Sequence, residues 1–135
     1  MLWDENLLDV TNVVALTYSL SAMVRIRASD VCFKVTSVYG PTDSSCKDAF
    51  FAELISHKPL SGVAWLALGD FNQIYEAREK NNLNLNRRLM GRFRAAINRA
   101  GLRQLKSSNR KSTWSNERDN PTLVGIDKFF CNAPW

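Results

Sequence analysis

Apolar and polar positions alternate with a period of two along the amino-terminal third of the chain, the pattern of strands that bury one face. In "VVALTYSLSAMVRIR", Val14, Leu16, Tyr18 and Leu20 fall on one face and predict a single strand. "DVCFKVTSVYG" repeats the pattern with Val31, Phe33 and Val35, a hairpin turn is expected at Ala28–Ser29–Asp30, and Gly40–Pro41 stops the second strand. The period then lengthens. "TDSSCKDAFFAELISHKPL" predicts an amphipathic helix capped by Asp43 or Ser44, with Phe50, Phe51, Leu54 and Ile55 as its stripe and Pro59 beyond its end. "GVAWLALGDF" is a near-continuous apolar run, which predicts a strand covered on both faces.

After an Asn-rich loop, Leu89, Phe93, Ala96, Ile97 and Ala100 form the stripe of a second helix from Arg87 to Ala100, with Gly101 at its C′ position. "KSTWSN" and "GIDKFFC" read as short strands joined by the turn-rich "ERDNPT". The order β-β-α-β-α-β-β predicts an α/β (α+β layered) domain, a mixed sheet with two main helices against it, without internal repeat or linker.

Composition narrows the class. A chain of 135 residues, 45% apolar and 23% charged, is sized and patterned for one folded domain. The net charge of +5 is uneven: Arg87, Arg88, Arg92, Arg94, Arg99, Arg103, Lys106, Arg110 and Lys111 share one segment that contains no acid. Such a stripe suits a polyanion, making DNA the expected partner and Arg87, Arg88 and Arg92 the expected nucleic-acid contacts, although a charge run alone more often marks a solvated helix face. Cys32, Cys46 and Cys131 are odd in number and unpatterned, so no disulfide partner is expected and a reducing compartment is the simpler reading. No apolar run reaches the roughly 18–20 residues that span a bilayer, and no signal peptide is recognisable. An intracellular protein, nuclear or cytoplasmic and without a membrane partner, is expected.

Candidate chemistry sits where strands end. Asp70 and Asn72 follow the most buried-looking strand, where open sheets place their ligands, and a continued strand would point both to one side. A carboxylate there can act as general base or hard-metal ligand, and the amide beside it can contact a phosphate oxygen or a metal's shell. Two further strand ends carry Tyr39, in "SVYGPT", and Asp127, after Gly125-Ile126. Alone, each has a bland reading: a loop entry, a sheet aromatic, an edge carboxylate.

The ordered set resembles the endonuclease/exonuclease/phosphatase superfamily, most closely the endonuclease domain of plant LINE-type (non-LTR) retrotransposons. The resemblance rests on Val38-Tyr39-Gly40-Pro41, Gly69-Asp70-Phe71-Asn72, Glu79-Lys80, Met90-Gly91-Arg92-Phe93, Gly101-Leu102, Thr113-Trp114-Ser115-Asn116 and Ile126-Asp127-Lys128-Phe129. It covers nearly all of the chain. It implies part of a four-layered α/β/β/α sandwich and metal-dependent cleavage of DNA phosphodiesters. Asp70 would orient or deprotonate the attacking water, Asn72 would bind the scissile phosphate or the metal's shell, Tyr39 would hydrogen-bond the phosphate, and Asp127 would support a histidine or help place the metal. Asp70 and Asn72 are thus the implied metal residues.

Other parts of that pattern are missing. No Gln-Glu dipeptide supplies the metal-binding Glu, and no Ser-Asp-His follows Asp127. The only histidine, His57, ends the first helix and reads as a surface residue or helix C-cap. Met1-Leu2-Trp3 and Ala133-Pro134-Trp135 are abrupt ends. Residues 1–135 are therefore expected to be one partial domain lacking the first strands and the last strand. Intact relatives should need Mg²⁺ or Mn²⁺, while this chain should bind metal weakly or not at all and turn over little. A non-catalytic nucleic-acid-binding remnant is the alternative, and a phosphoinositide-type phosphatase ranks below both.

Overall fold

The computed structural model describes residues 2–105 and 112–135. Strands β1 (Leu8–Ala15), β2 (Ser19–Ile26), β3 (Cys32–Tyr39), β4 (Trp65–Asp70), β5 (Arg103–Leu105) and β8 (Asp127–Cys131) form one mixed sheet. Their spatial order is β1-β2-β3-β4-β8-β5, while β6 (Trp114–Ser115) and β7 (Leu123–Val124) make a separate hairpin. Helix α1 (Lys47–Ser56) is the crossover between β3 and β4, which run parallel. It packs beside α2 (Arg87–Ala100) on one face of the sheet.

Local chemistry sets these elements. Asp43 accepts a hydrogen bond from Ser45 N (2.8 Å), starting the turn that leads into α1. Asn86 caps α2 by accepting from Leu89 N (2.9 Å), and Gly101, at φ 73°, ends it with the left-handed residue that a helix terminus favours. The expected stripes are the ones that bury. Phe50, Phe51 and Leu54 from α1 and Phe93, Ala96, Ile97 and Ala100 from α2 meet Trp65, Ala67, Phe71 and Phe130 of the sheet side. Phe71 stands at the centre, its ring centroid 5.1 Å from Phe130 and 5.8 Å from Phe93. Each such ring contributes about 2–3 kcal/mol of burial, which anchors the Gly69–Asn72 loop from inside.

Four sequence expectations change. The single strand over Val13–Arg27 is a hairpin: Leu16 N–H donates to Ser19 O (2.8 Å), and the chain reverses at residues 16–18. Thr17, Tyr18 and Ser19 carry no Gly, Pro or Asn to mark that turn. Strand β1 therefore begins at Leu8, and a bulge between Thr11 and Val14, with Asn12 at φ 51°, disguises its alternation. Strand β5, at the sheet edge, is too short for any periodicity.

The fourth change concerns β4. Trp65 and Ala67 are fully buried under the helices, but Leu66 and Leu68 are only half-buried on the other side. No described element covers that face, where Phe129 and Leu105 are 46% and 38% exposed. The described residues thus form one helical layer on one six-stranded sheet, with the β6–β7 hairpin separate and the predicted β4 cover present on one side.

Candidate functional site

Strand register gathers three of the expected residues into one row. Tyr39 lies opposite Asp70 in the parallel pair β3–β4, and Asp70 lies opposite Asp127 in the antiparallel pair β4–β8. Opposed residues share a face, with Cβ atoms about 4.5–5.5 Å apart in an antiparallel pair. Alternation puts this row on the open face, away from the helices: Tyr39 is 71% exposed, Asp127 exposed and Asp70 half-buried. Two surface grooves, of about 620 and 490 Å³, lie along β1–β2. Neither groove shares a lining residue with the row.

Asn72 joins the row by a different route from the one expected. The strand does not continue: Asn72 sits at φ 45°, the left-handed conformation that Asn tolerates best among residues with a side chain. Its N–H donates to Asp70 Oδ1 (2.7 Å), closing an Asx turn, and its side-chain Nδ2 donates to Gly40 O (2.8 Å). Gly40 N–H in turn donates to Asp70 O (2.7 Å). The loop after β3 and the loop after β4 are therefore stitched together at the site. Close backbone approach requires both glycines here. A Cβ on Gly40 would lie 2.7 Å from the carbonyl carbon of Phe71, and Gly69, at φ 133°, backs onto Val38.

Several supporting residues went unrecognised in the sequence. Lys47, at the first turn of α1, is 2% exposed and donates to Asn72 O (2.6 Å). Burial pushes its ammonium down to about 8, while the charge of Asp70 pulls it back up. On the far side of the row, Thr113 Oγ1 accepts from Ile126 N (3.0 Å) and Asp127 N (3.1 Å), so the hairpin start fixes the backbone of Asp127. Glu79, noted only as part of a Glu-Lys pair, is a strut. Its Oε2 accepts from Lys128 Nζ (2.6 Å) and Tyr75 N (2.6 Å), and its Oε1 from Gln104 Nε2 (2.9 Å). Burial lowers the pKa of Lys128, opposed by Glu79 and by Asp127.

His57 departs from its expected surface position. It does cap α1, but its ring is only 4% exposed and bonds Ser19 Oγ through Nε2 (2.7 Å) and Ser21 Oγ through Nδ1 (3.0 Å). The chain of bonds fixes its tautomer. Ser19 donates to Glu53 Oε1, so His57 Nε2–H donates to Ser19, and Ser21 donates to Nδ1. Ser21 then accepts from Thr36, whose Oγ1 accepts from Trp65 Nε1 (2.9 Å). Burial and the Lys34 charge hold the imidazole below its ordinary pKa, with Glu53 opposing. A lone His in a polar helix-end sequence gives no sign of this.

The expected nucleic-acid arginines stand elsewhere. Arg87 and Arg88 are exposed at the start of α2, and Arg92 pairs with Asp48 of α1. That helical layer is on the opposite side of the sheet from the row. Lys106, Arg110 and Lys111 lie outside the described residues. Cys32, Cys46 and Cys131 are free. Among the described residues no helix is long and apolar enough to cross a membrane.

Among the described residues no three His, Cys, Asp or Glu side chains converge. Asp70 and Asp127 provide two carboxylates, of which one oxygen already accepts from Asn72 N. Mg²⁺ held by so few protein ligands relies on substrate phosphates to complete its shell.

No family model and no curated protein matches the sequence. Solved structures do. The endonuclease domain of TRAS1, a telomere-specific non-LTR retrotransposon, superposes with a TM-score of 0.70 at 14% identity, over 97% of this chain and 58% of that one. The D. rerio TDP2 complexed with a single-strand DNA product gives 0.61 at 11% identity over 95% and 54%. A mannosyl-6-phosphatase of Bacteroides thetaiotaomicron gives 0.62 at 10% identity over 97% and 55%. The chain thus spans a little over half the length of these neighbours. At such identities the likeness speaks for architecture alone: one mixed sheet backed by two helices, in the fold of the endonuclease/exonuclease/phosphatase proteins.

Proposed function

We propose that this chain is part of a nuclease-type domain of retrotransposon origin that engages a DNA phosphodiester at the Tyr39–Asp70–Asp127 row, with little or no hydrolysis. One observation carries the reading: a phenol and two carboxylates stand abreast on three strands, open to solvent, in a fold shared with a retrotransposon endonuclease domain. The exposed Tyr39 hydroxyl would donate to a phosphate oxygen. Asp70, with one carboxylate oxygen not used by Asn72, would orient or deprotonate a water. The Asn72 carboxamide, pinned through Nδ2, would present its oxygen beside that water.

Hydrolysis needs more than this. Two adjacent carboxylates repel a phosphodiester unless a cation lies between them, and the row supplies none. The single histidine is locked into the β2–α1 network instead of standing beside Asp127. Members of a catalytic unit act together, so losing the metal's main carboxylate and the histidine removes nearly the whole rate. The second reading, retention of nucleic acid without cutting, is favoured by Trp114. It is 47% exposed on the hairpin that begins at Thr113, beside the row. An indole so placed can stack on an unpaired base.

Supercoiled plasmid incubated with Mg²⁺ and the protein, beside an Asp70→Ala control, tests both. The expected result is no nicking above the control, with DNA retained at low salt and released as salt rises. Nicking abolished by Asp70→Ala would overturn the claim of inactivity. No retention at any salt would overturn the functional assignment itself.

A further inference from the structure

A positively charged side chain almost never sits 2% exposed without a partner that compensates the loss of water, and Lys47 has an unusual one. Its ammonium donates to the backbone carbonyl of Asn72 at 2.6 Å, and its Cα lies at the first turn of α1, 25 residues earlier in the chain. That carbonyl belongs to the residue whose N–H is bound by Asp70 and whose carboxamide is bound by Gly40. One ammonium therefore anchors the residue from which both of those bonds fan out. Phe50 closes the other side, with Lys47 Nζ 5.9 Å from its ring centroid. A methionine or leucine would fill the same space without burying a charge, so packing alone does not explain a lysine.

We propose that Lys47 is a positioning residue for the strand-end site: from beneath, its ammonium locks the Asp70–Asn72 turn. The inference rests on the functional reading only for its consequence, since the lock itself is a matter of geometry. Lys47 is sealed from solvent and touches no ligand. It acts through Asn72, keeping the carboxamide aimed and the left-handed turn closed. Without it the turn would open towards ordinary loop conformations, and Asp70 and Asn72 would no longer hold one geometry.

Amide hydrogen exchange on Lys47→Met decides the matter. The Asn72 and Gly40 amides, both bound to Asp70, should exchange about tenfold faster or more, while core amides of β4 and α2 and the denaturant midpoint hold or improve. Unchanged exchange at Asn72 and Gly40 would overturn the proposal. Faster exchange everywhere, in step with lost stability, would assign Lys47 to the core and overturn it too. Should the variant fail to fold, the wild-type side-chain ammonium decides instead: a slowly exchanging Lys47 Nζ resonance with a cross-peak to Asn72 is expected, and a freely exchanging one refutes the lock. Retention of a labelled DNA duplex is read separately. Wild type that retains no duplex sinks the functional reading while the exchange data still judge the lock. Wild type that retains it, with Lys47→Met retaining it equally well, would remove Lys47 from the site.

Discussion

Replacing Gly69 by alanine tests whether close backbone contact sets the geometry of the row. Two terms are separable. Gly69 adopts φ 133°, a conformation L side chains rarely take, which costs an alanine about 1–3 kcal/mol. Its added Cβ would also lie 3.0 Å from Val38 N and 3.1 Å from Val38 C, and closer still to the carbonyl oxygen between β3 and β4. These are backbone atoms in a parallel ladder, so no side chain can swing aside. The strands must part where Val38 faces Gly69 and Tyr39 faces Asp70, weakening one or two ladder hydrogen bonds worth about 1 kcal/mol each. The sum, about 2–5 kcal/mol, is a large part of the roughly 5–15 kcal/mol that holds a domain folded. Gly62 provides the control: its φ is 87°, but no atom lies within 4 Å of its added Cβ, so Gly62→Ala should show the conformational cost alone. Urea unfolding followed by far-UV circular dichroism measures both. A Gly69→Ala loss no larger than that of Gly62→Ala would refute the close-approach argument.

Two further predictions concern the buried ionisable groups. Because burial holds His57 below its ordinary pKa, the unfolded chain binds the proton more readily. Stability should be complete above pH about 6.5 and fall as pH drops below it, and the fall should be shallower in His57→Gln, read by melting temperature between pH 5 and 8. Glu79→Ala removes the counter-ion of the Lys128 ammonium, 2% exposed, leaving it only the Gly125 carbonyl, and should cost about 3–5 kcal/mol in denaturant unfolding, with much of it restored by adding Lys128→Met.

How far the sequence discloses this molecule depends on which interactions are local. Alternation locates β3, and the helical stripes of Phe50, Phe51 and Leu54 and of Phe93 and Ile97 are the residues that bury, because amphipathic periodicity is written in neighbouring positions. The strand-end residues Tyr39, Asp70 and Asp127 were legible as separate motif pieces. Their standing abreast is a matter of register between strands far apart in sequence. Asn72 was legible as a residue but not as a left-handed turn, since a GDFN string reads equally well as an extending strand. The turn at Leu16–Tyr18 was hidden because β-formers occupy it. Lys47 and His57 were illegible for a different reason. Each sits among polar neighbours on a helix terminus, and only the sheet packed against that terminus makes them buried.

The same distinction explains how two opposed carboxylates can persist on one sheet end. Asp70 and Asp127 face each other on the open side, an arrangement that like-charge repulsion disfavours. Lys47 and Lys128 lie buried on the side of the helices, and each feels the carboxylate above it: Asp70 raises the proton affinity of Lys47 and Asp127 that of Lys128, against the larger lowering by burial. Lys47 thus places a positive group beneath Asp70, whereas Lys128 is ion-paired with Glu79 and feels Asp127 only in addition. Fields from the dry side are the less screened, so the Lys47 ammonium is felt at the sheet end more than a surface lysine would be. The row can therefore keep its form although two carboxylates stand opposed on it, because the positive charge that steadies it comes from the buried side of the sheet.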